Sequence, residues 1–135
     1  MKILQGVDLV EIEKFREVFA RHPRFSEDLF TEGERSYCEG RLDAPASFAG
    51  RFAAKEAALK AFGVGITTGI DRALREVEIV RTGSGKPTLR FHGWVLTLSD
   101  RLGVSDASVS LSHSGSYAMA SVILVSDARE GRNAG

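Results

Sequence analysis

Residues 3–10, ILQGVDLV, form a run of Ile, Leu and Val broken by one charge, Asp8, and this reads as a strand. From Glu11 to about Arg21 the period changes, with Ile12, Phe15, Val18 and Phe19 on one stripe and Glu13, Lys14, Arg16 and Glu17 off it. That spacing predicts an amphipathic helix, which Pro23 closes. Thr31 and Glu34 have capping-box spacing, so a short helix through Tyr37 follows, and RLDAPAS reads as a loop. Residues 46–62 are dominated by Ala, Leu, Lys and Glu and end at Gly63, the position of a helix C-cap glycine. Gly50 is the weak position in that long helix.

The second half alternates faster. GVGITTGIDR reads as a loop, and REVEIVR and PTLRF as two strands joined by TGSGK. Trp94, Val95, Leu98 and Leu102 predict a further helix ended by Gly103. Strands around ASVSLSH and YAMASVILV are separated by SGS, and the final ten residues carry no apolar stripe and read as a frayed tail. Internal repeats and linkers are absent from the sequence, so a single domain over residues 1–125 with a polar tail at 126–135 is expected.

Composition narrows the partners. The 135 residues are 43% hydrophobic, and 18 Lys and Arg balance 18 Asp and Glu, which argues against a general nucleic-acid binder. Weak self-repulsion on a short apolar-rich chain is compatible with self-association. Cys38 is the only cysteine, so no intramolecular disulfide forms, and a reducing compartment is expected. The early charges exclude a secretory core, and no apolar run spans a bilayer; a soluble cytoplasmic protein is the expectation.

Three groups of residues could carry chemistry. On the long helix, Phe52, Glu56 and Lys60 are spaced i, i+4, i+8, with Lys55 and Leu59 close to that face. A solvated Glu–Lys pair is the bland reading. Against it, Arg51, Lys55 and Lys60 put three cations within ten residues, and the helix runs into a glycine-rich loop whose amides could approach phosphates. Asp8 alternates with Leu4, Gly6 and Val10, where a carboxylate must be paired or hold a cation. Asp8 with Glu56 would make a site for a hard cation such as Mg²⁺, which takes one or two protein carboxylates and completes its shell with water and phosphate oxygens. In the third group, Ser110 to Ser114, a Ser stands beside His113, but neighbouring strand residues point to opposite faces and cannot act as nucleophile and base. His113 is either a loop-edge histidine or a phosphate donor.

GVDLVEI, AGRFAAKEAALKAFGVGI, SGKP and VSLSHS, in this order, resemble the holo-acyl-carrier-protein synthase family of 4'-phosphopantetheinyl transferases. The resemblance implies an α+β fold, a small antiparallel sheet packed with a long central helix. It implies transfer of 4'-phosphopantetheine from coenzyme A to a serine of apo acyl carrier protein, releasing adenosine 3',5'-bisphosphate. By the same resemblance, Asp8 and Glu56 are the metal-binding acids, and Asp8, Glu56 and Lys60 the catalytic set. Arg51, Phe52, Lys55, Lys60, Gly63, Lys86, Pro87, Ser112 and His113 would bind coenzyme A, with Ser114 where the family often has Thr. Homotrimers with sites between subunits are also implied.

Carrier docking is argued from charge. Lys14, Arg16, Arg21 and Arg24 stand against Glu17 alone, a basic stretch within a neutral chain, and Phe25 could add an apolar contact. Acyl carrier proteins are acidic, and in the family the first helix is the docking surface. A non-catalytic nucleotide or carrier-binding module and a metal-dependent phosphohydrolase are the competing readings.

Overall fold

The computed structural model describes residues 1–65 and 70–127. Strand β1 (Lys2–Glu11) leads into helices α1 (Ile12–Arg21), α2 (Phe25–Leu29), α3 (Glu32–Glu39) and the long α4 (Ala44–Phe62). Then come α5 (Ile70–Glu76), β2 (Val77–Arg81), β3 (Pro87–Phe91), α6 (Gly93–Arg101), β4 (Val104–Ser114) and β5 (Tyr117–Ser126). The fold is α+β. An antiparallel sheet has the order β1-β5-β4, and β2 and β3 form a separate antiparallel ribbon.

Helix α4 is central because its sequence leaves no polar side wide enough to face water. Ala49, Ala53, Ala54, Ala57, Ala58 and Ala61 are all buried, together with Phe48, Leu59 and Phe62. Small side chains let the helix lie close on the sheet, and the closest approach is at Gly6 of β1. A Cβ at Gly6 would stand 2.0 Å from the Ala57 carbonyl oxygen and 2.8 Å from the Ala61 amide nitrogen. Gly50 has a related cause, since a Cβ there would lie 3.0 Å from His113 Nε2. Gly63 takes φ +83° and closes the helix, its amide donating to the Lys60 carbonyl at 3.0 Å.

Several boundaries differ from expectation. RLDAPAS is not all loop: α4 begins at Ala44, with Asp43 as N-cap and Pro45 in the first turn, where a missing amide costs nothing. The short helix α2 has no counterpart in the sequence reading. GVGITTGIDR and the start of REVEIVR were expected as loop and strand, yet Ile70–Glu76 is helical and β2 starts only at Val77. Ile70, Ala73, Leu74 and Val77 have helical spacing, and Ala73 and Leu74 are buried by it. Residues 66–69 of the glycine-rich loop lie outside the described residues, as do residues 128–135 of the expected tail. Ser126 belongs to β5, its hydroxyl donating to the Leu102 carbonyl.

Along β1, Leu4, Gly6, Asp8 and Val10 face α4, while Ile3, Val7 and Leu9 face outwards. Leu9 is paired across the sheet with Met119. This outer face also carries Tyr117 and Ile123, all more than one third exposed.

Candidate functional site

The strand alternation that turns Asp8 towards α4 brings it to the residues the helical spacing had grouped. Lys60 Nζ donates to Asp8 Oδ1 at 2.8 Å and to the Val7 carbonyl at 3.2 Å. Asp8 is thus the paired carboxylate, 13% exposed, while the Lys60 side chain is 52% exposed. Burial, followed by the Asp8 charge, pushes the Glu56 carboxyl above its ordinary range, and Lys60 partly opposes this. Two carboxylates repel here beside one ammonium.

Asp8 and Glu56 line one end of a groove of about 490 Å³ whose wall includes Lys14, Val18, Phe25 and Phe52. Phe15, Phe25 and Phe52 form its aromatic side, with Phe52 5.5 Å from Phe15 and 6.2 Å from Phe25 between ring centroids. Phe52 therefore joins Glu56 as its i, i+4 spacing predicts. The acid pair also suits a divalent cation, which would offset the repulsion that raises Glu56. Among the described residues no cluster of three or more His, Cys, Asp or Glu exists, so such an ion would have two protein carboxylates and an otherwise open shell.

Lys55 does not join this site. Its side chain is fully buried on another side of α4, with Nζ donating to Glu34 Oε1 at 2.7 Å and to the carbonyls of Leu74 and Val77. All three ammonium hydrogens are used, which corrects the expectation that Lys55 reaches a phosphate. Burial pulls this ammonium down and the Glu34 carboxylate raises it.

Arg51 lies about 140° around the helix from Glu56 and lines a second cavity. That cavity, of about 260 Å³, also contains Tyr37, Arg41, Asp43, Arg81 and His113. Three guanidiniums gather over the Tyr37 ring, Arg51 at 4.1 Å from its centroid, Arg81 at 4.9 Å and Arg41 at 5.3 Å. Arg51 is 5% exposed, and its buried Nε has no hydrogen-bond partner among the described residues. Neither Arg41 nor Arg81 was expected. They come from the segment just after α3 and from β2, and only the sequence-distant meeting on Tyr37 reveals them.

His113 follows Val109 and Leu111 on the inward face of β4, whereas Ser112 lies on the outer face opposite Met119. Ser114 ends the strand opposite Tyr117. Lys86 is exposed at the β2–β3 turn, and Pro87 pairs with Arg81, so the turn end of the ribbon borders the arginine cavity. Gly63 closes α4 one turn after Lys60. One chain therefore has an acidic groove and a cationic cavity on different sides of α4.

On the basic stretch, Lys14 and Arg24 make only long exposed pairs with Glu11 and Glu27, both at 3.8 Å. Arg16 is different. It grips Asp43 with two hydrogen bonds of 3.1 and 3.2 Å, so it is not an unengaged docking cation.

Residues 5–122 match the 4'-phosphopantetheinyl transferase superfamily. The chain belongs to this family. A holo-[acyl-carrier-protein] synthase of Geobacter sulfurreducens is 45% identical over 120 residues, covering 88% of this chain and 94% of its own. Among solved structures, the coenzyme A complex of the synthase of Chronobacterium ammoniagenes has a TM-score of 0.84 at 29% identity and covers 95% of this chain and all of that one. A Bacillus anthracis synthase in complex with coenzyme A (3',5'-ADP) has a TM-score of 0.73 at 31% identity, covering 92% of this chain and 96% of that one. The expected family and the expected transferase fold both hold.

Proposed function

We propose that the chain is a holo-acyl-carrier-protein synthase that moves 4'-phosphopantetheine from coenzyme A to a serine of apo acyl carrier protein. The observation that carries this reading is the meeting of Asp8 with Lys60 and Glu56, in a family member, at the end of an apolar groove. The serine oxygen bonds to the β-phosphorus, the bridging bond to the α-phosphate breaks, and adenosine 3',5'-bisphosphate leaves. Glu56 accepts the serine proton, directly or through an intervening water. Lys60 faces the leaving phosphate with its ammonium and holds Asp8 in place. Asp8 and Glu56 would hold Mg²⁺, which supplies charge neutralisation on the pyrophosphate oxygens when bound.

Phe52 walls the groove that takes the pantetheine end. Arg51 and His113, with Lys86, Pro87, Ser112 and Ser114 around them and Gly63 at the end of α4, serve the nucleotide end. These halves are separated within one chain, which favours a homotrimer in which the nucleotide end comes from a neighbouring subunit. The exposed apolar row Ile3, Val7, Leu9, Met119 and Ile123 supports burial of the outer sheet face in that assembly. Lys14, Arg21 and Arg24, with Phe25 beside the groove, form the docking surface for the acidic carrier. Residues 1–125 act as one transferase domain. No helix among the described residues is long and apolar enough to cross a membrane, and we assign the chain to the cytoplasm.

The test is incubation with apo carrier protein, coenzyme A and Mg²⁺, read by mass spectrometry for the added phosphopantetheine. An unmodified carrier with hydrolysed coenzyme A would favour a phosphohydrolase, and an unmodified carrier with intact coenzyme A a binding module. Glu56→Gln should lower turnover about a hundredfold or more at saturating Mg²⁺; near-normal turnover rejects Glu56 as the base.

A further inference from the structure

The cavity that gathers Arg41, Arg51 and Arg81 contains one carboxylate, Asp43. None of the three arginines has a carboxylate within 4.0 Å among the described residues, although Asp43 lines the same cavity. Both Asp43 oxygens are engaged elsewhere. Oδ1 accepts from Arg16 at 3.1 Å and from the Ala46 amide at 3.2 Å, and Oδ2 accepts the second Arg16 nitrogen at 3.2 Å. A bidentate guanidinium–carboxylate pair fixes orientation as well as charge.

We propose that Arg16 is a positioning residue for the nucleotide end of the site, engaging the Asp43 carboxylate at the cavity wall so that it does not pair with the three arginines, and not a residue that docks the carrier protein. The proposal rests on the assignment of that cavity to coenzyme A. With Arg16 in place, the three guanidiniums present uncompensated positive charge to a phosphate. Without it, Asp43 has three cations within its own cavity to turn towards, and the carboxylate then competes with the phosphate for them. Even an unturned Asp43 would leave a bare negative charge at the mouth of an anion site.

This reverses the expectation from charge alone, which grouped Arg16 with Lys14, Arg21 and Arg24. All four are basic and close in sequence, but Arg16 spends its two-nitrogen fork on the N-cap of α4. Its charge is therefore part of the coenzyme A site's electrostatics.

The experiment measures coenzyme A affinity by calorimetry without carrier, and KM for each substrate, in Arg16→Ala, Arg16→Ala/Asp43→Ser and Arg51→Gln. Serine keeps an N-cap oxygen for α4 while removing the charge. Arg16→Ala should weaken coenzyme A binding about three- to tenfold and raise its KM to match, with the carrier KM unchanged. Removing the Asp43 charge in the double variant should restore coenzyme A affinity to the wild-type value, a rescue that a merely structural Arg16 would not give. A raised carrier KM with unchanged coenzyme A binding in Arg16→Ala overturns the proposal, and so does a double variant as weak as the single one. Wild-type coenzyme A affinity in Arg51→Gln would instead reject the assignment of the cavity to coenzyme A, on which the proposal depends.

Discussion

Lys55 Nζ lies 2.7 Å from Glu34 Oε1, with both side chains closed to solvent. The pair is a junction of four elements. Lys55 on α4 also donates to the Leu74 and Val77 carbonyls at the end of α5 and start of β2, while Glu34 on α3 accepts the Thr31 amide at 2.9 Å and the Ile79 amide at 2.9 Å. Removing one partner strands a buried charge and several backbone groups. Glu34→Ala or Lys55→Met should cost about 3–5 kcal/mol in urea unfolding, with Glu34→Gln costing less because its amide oxygen still accepts. A loss under 1 kcal/mol in the first two would show that the pair does not hold these elements together.

Gly6 sets how near α4 comes to β1. Gly6→Ala places a methyl 2.0 Å from the Ala57 carbonyl oxygen, and the obstruction is backbone that cannot rotate away. The helix must lift from the sheet, carrying Glu56 and Lys60 away from Asp8. A destabilisation of about 1–3 kcal/mol or more is expected in thermal unfolding, with turnover falling further than stability alone explains. Wild-type stability and activity together would refute the close-packing account.

Carrier docking separates from chemistry by kinetics. Arg24→Glu reverses an exposed charge beside the apolar groove and should raise the carrier KM several-fold while the coenzyme A KM stays put. The effect should shrink as salt rises, since exposed charges are screened. Equal shifts in both KM values would remove Arg24 from the docking surface.

The Asp43 carboxyl is held below its usual range, first by its hydrogen bonds from Arg16 and then by the Ala46 amide. A carboxyl depressed in the folded state contributes stability that is fully present above the unfolded value, about 3.9, and lost as pH falls through the folded one. Wild type should therefore exceed Arg16→Ala in stability by a constant margin above about pH 5, and the margin should vanish in more acidic solution. Parallel acid-unfolding curves that stay separated below the folded value would contradict this.

Local rules made much of the molecule legible. The alternation in β1 turns Asp8 to the same side as Gly6, the Thr31/Glu34 capping box opens α3 as the spacing predicts, and Gly63 ends α4. Each depends on residues only a few positions apart, where strand period, cap chemistry and the freedom of glycine decide the outcome. The motif blocks likewise pointed to the family without any coordinates. What tertiary packing alone decided is the direction in which charges on those elements face. Lys55 and Lys60 are the same residue type on one helix, yet about 140° of rotation sends one into the core against Glu34 and the other to Asp8. Arg16 looks like its basic neighbours until the fold brings Asp43, 27 residues later, into its fork. Arg41 from the α3–α4 connection, Arg51 from α4 and Arg81 from β2 meet over Tyr37. Pairings across such distances depend on how whole elements pack, and no short period in the chain encodes them.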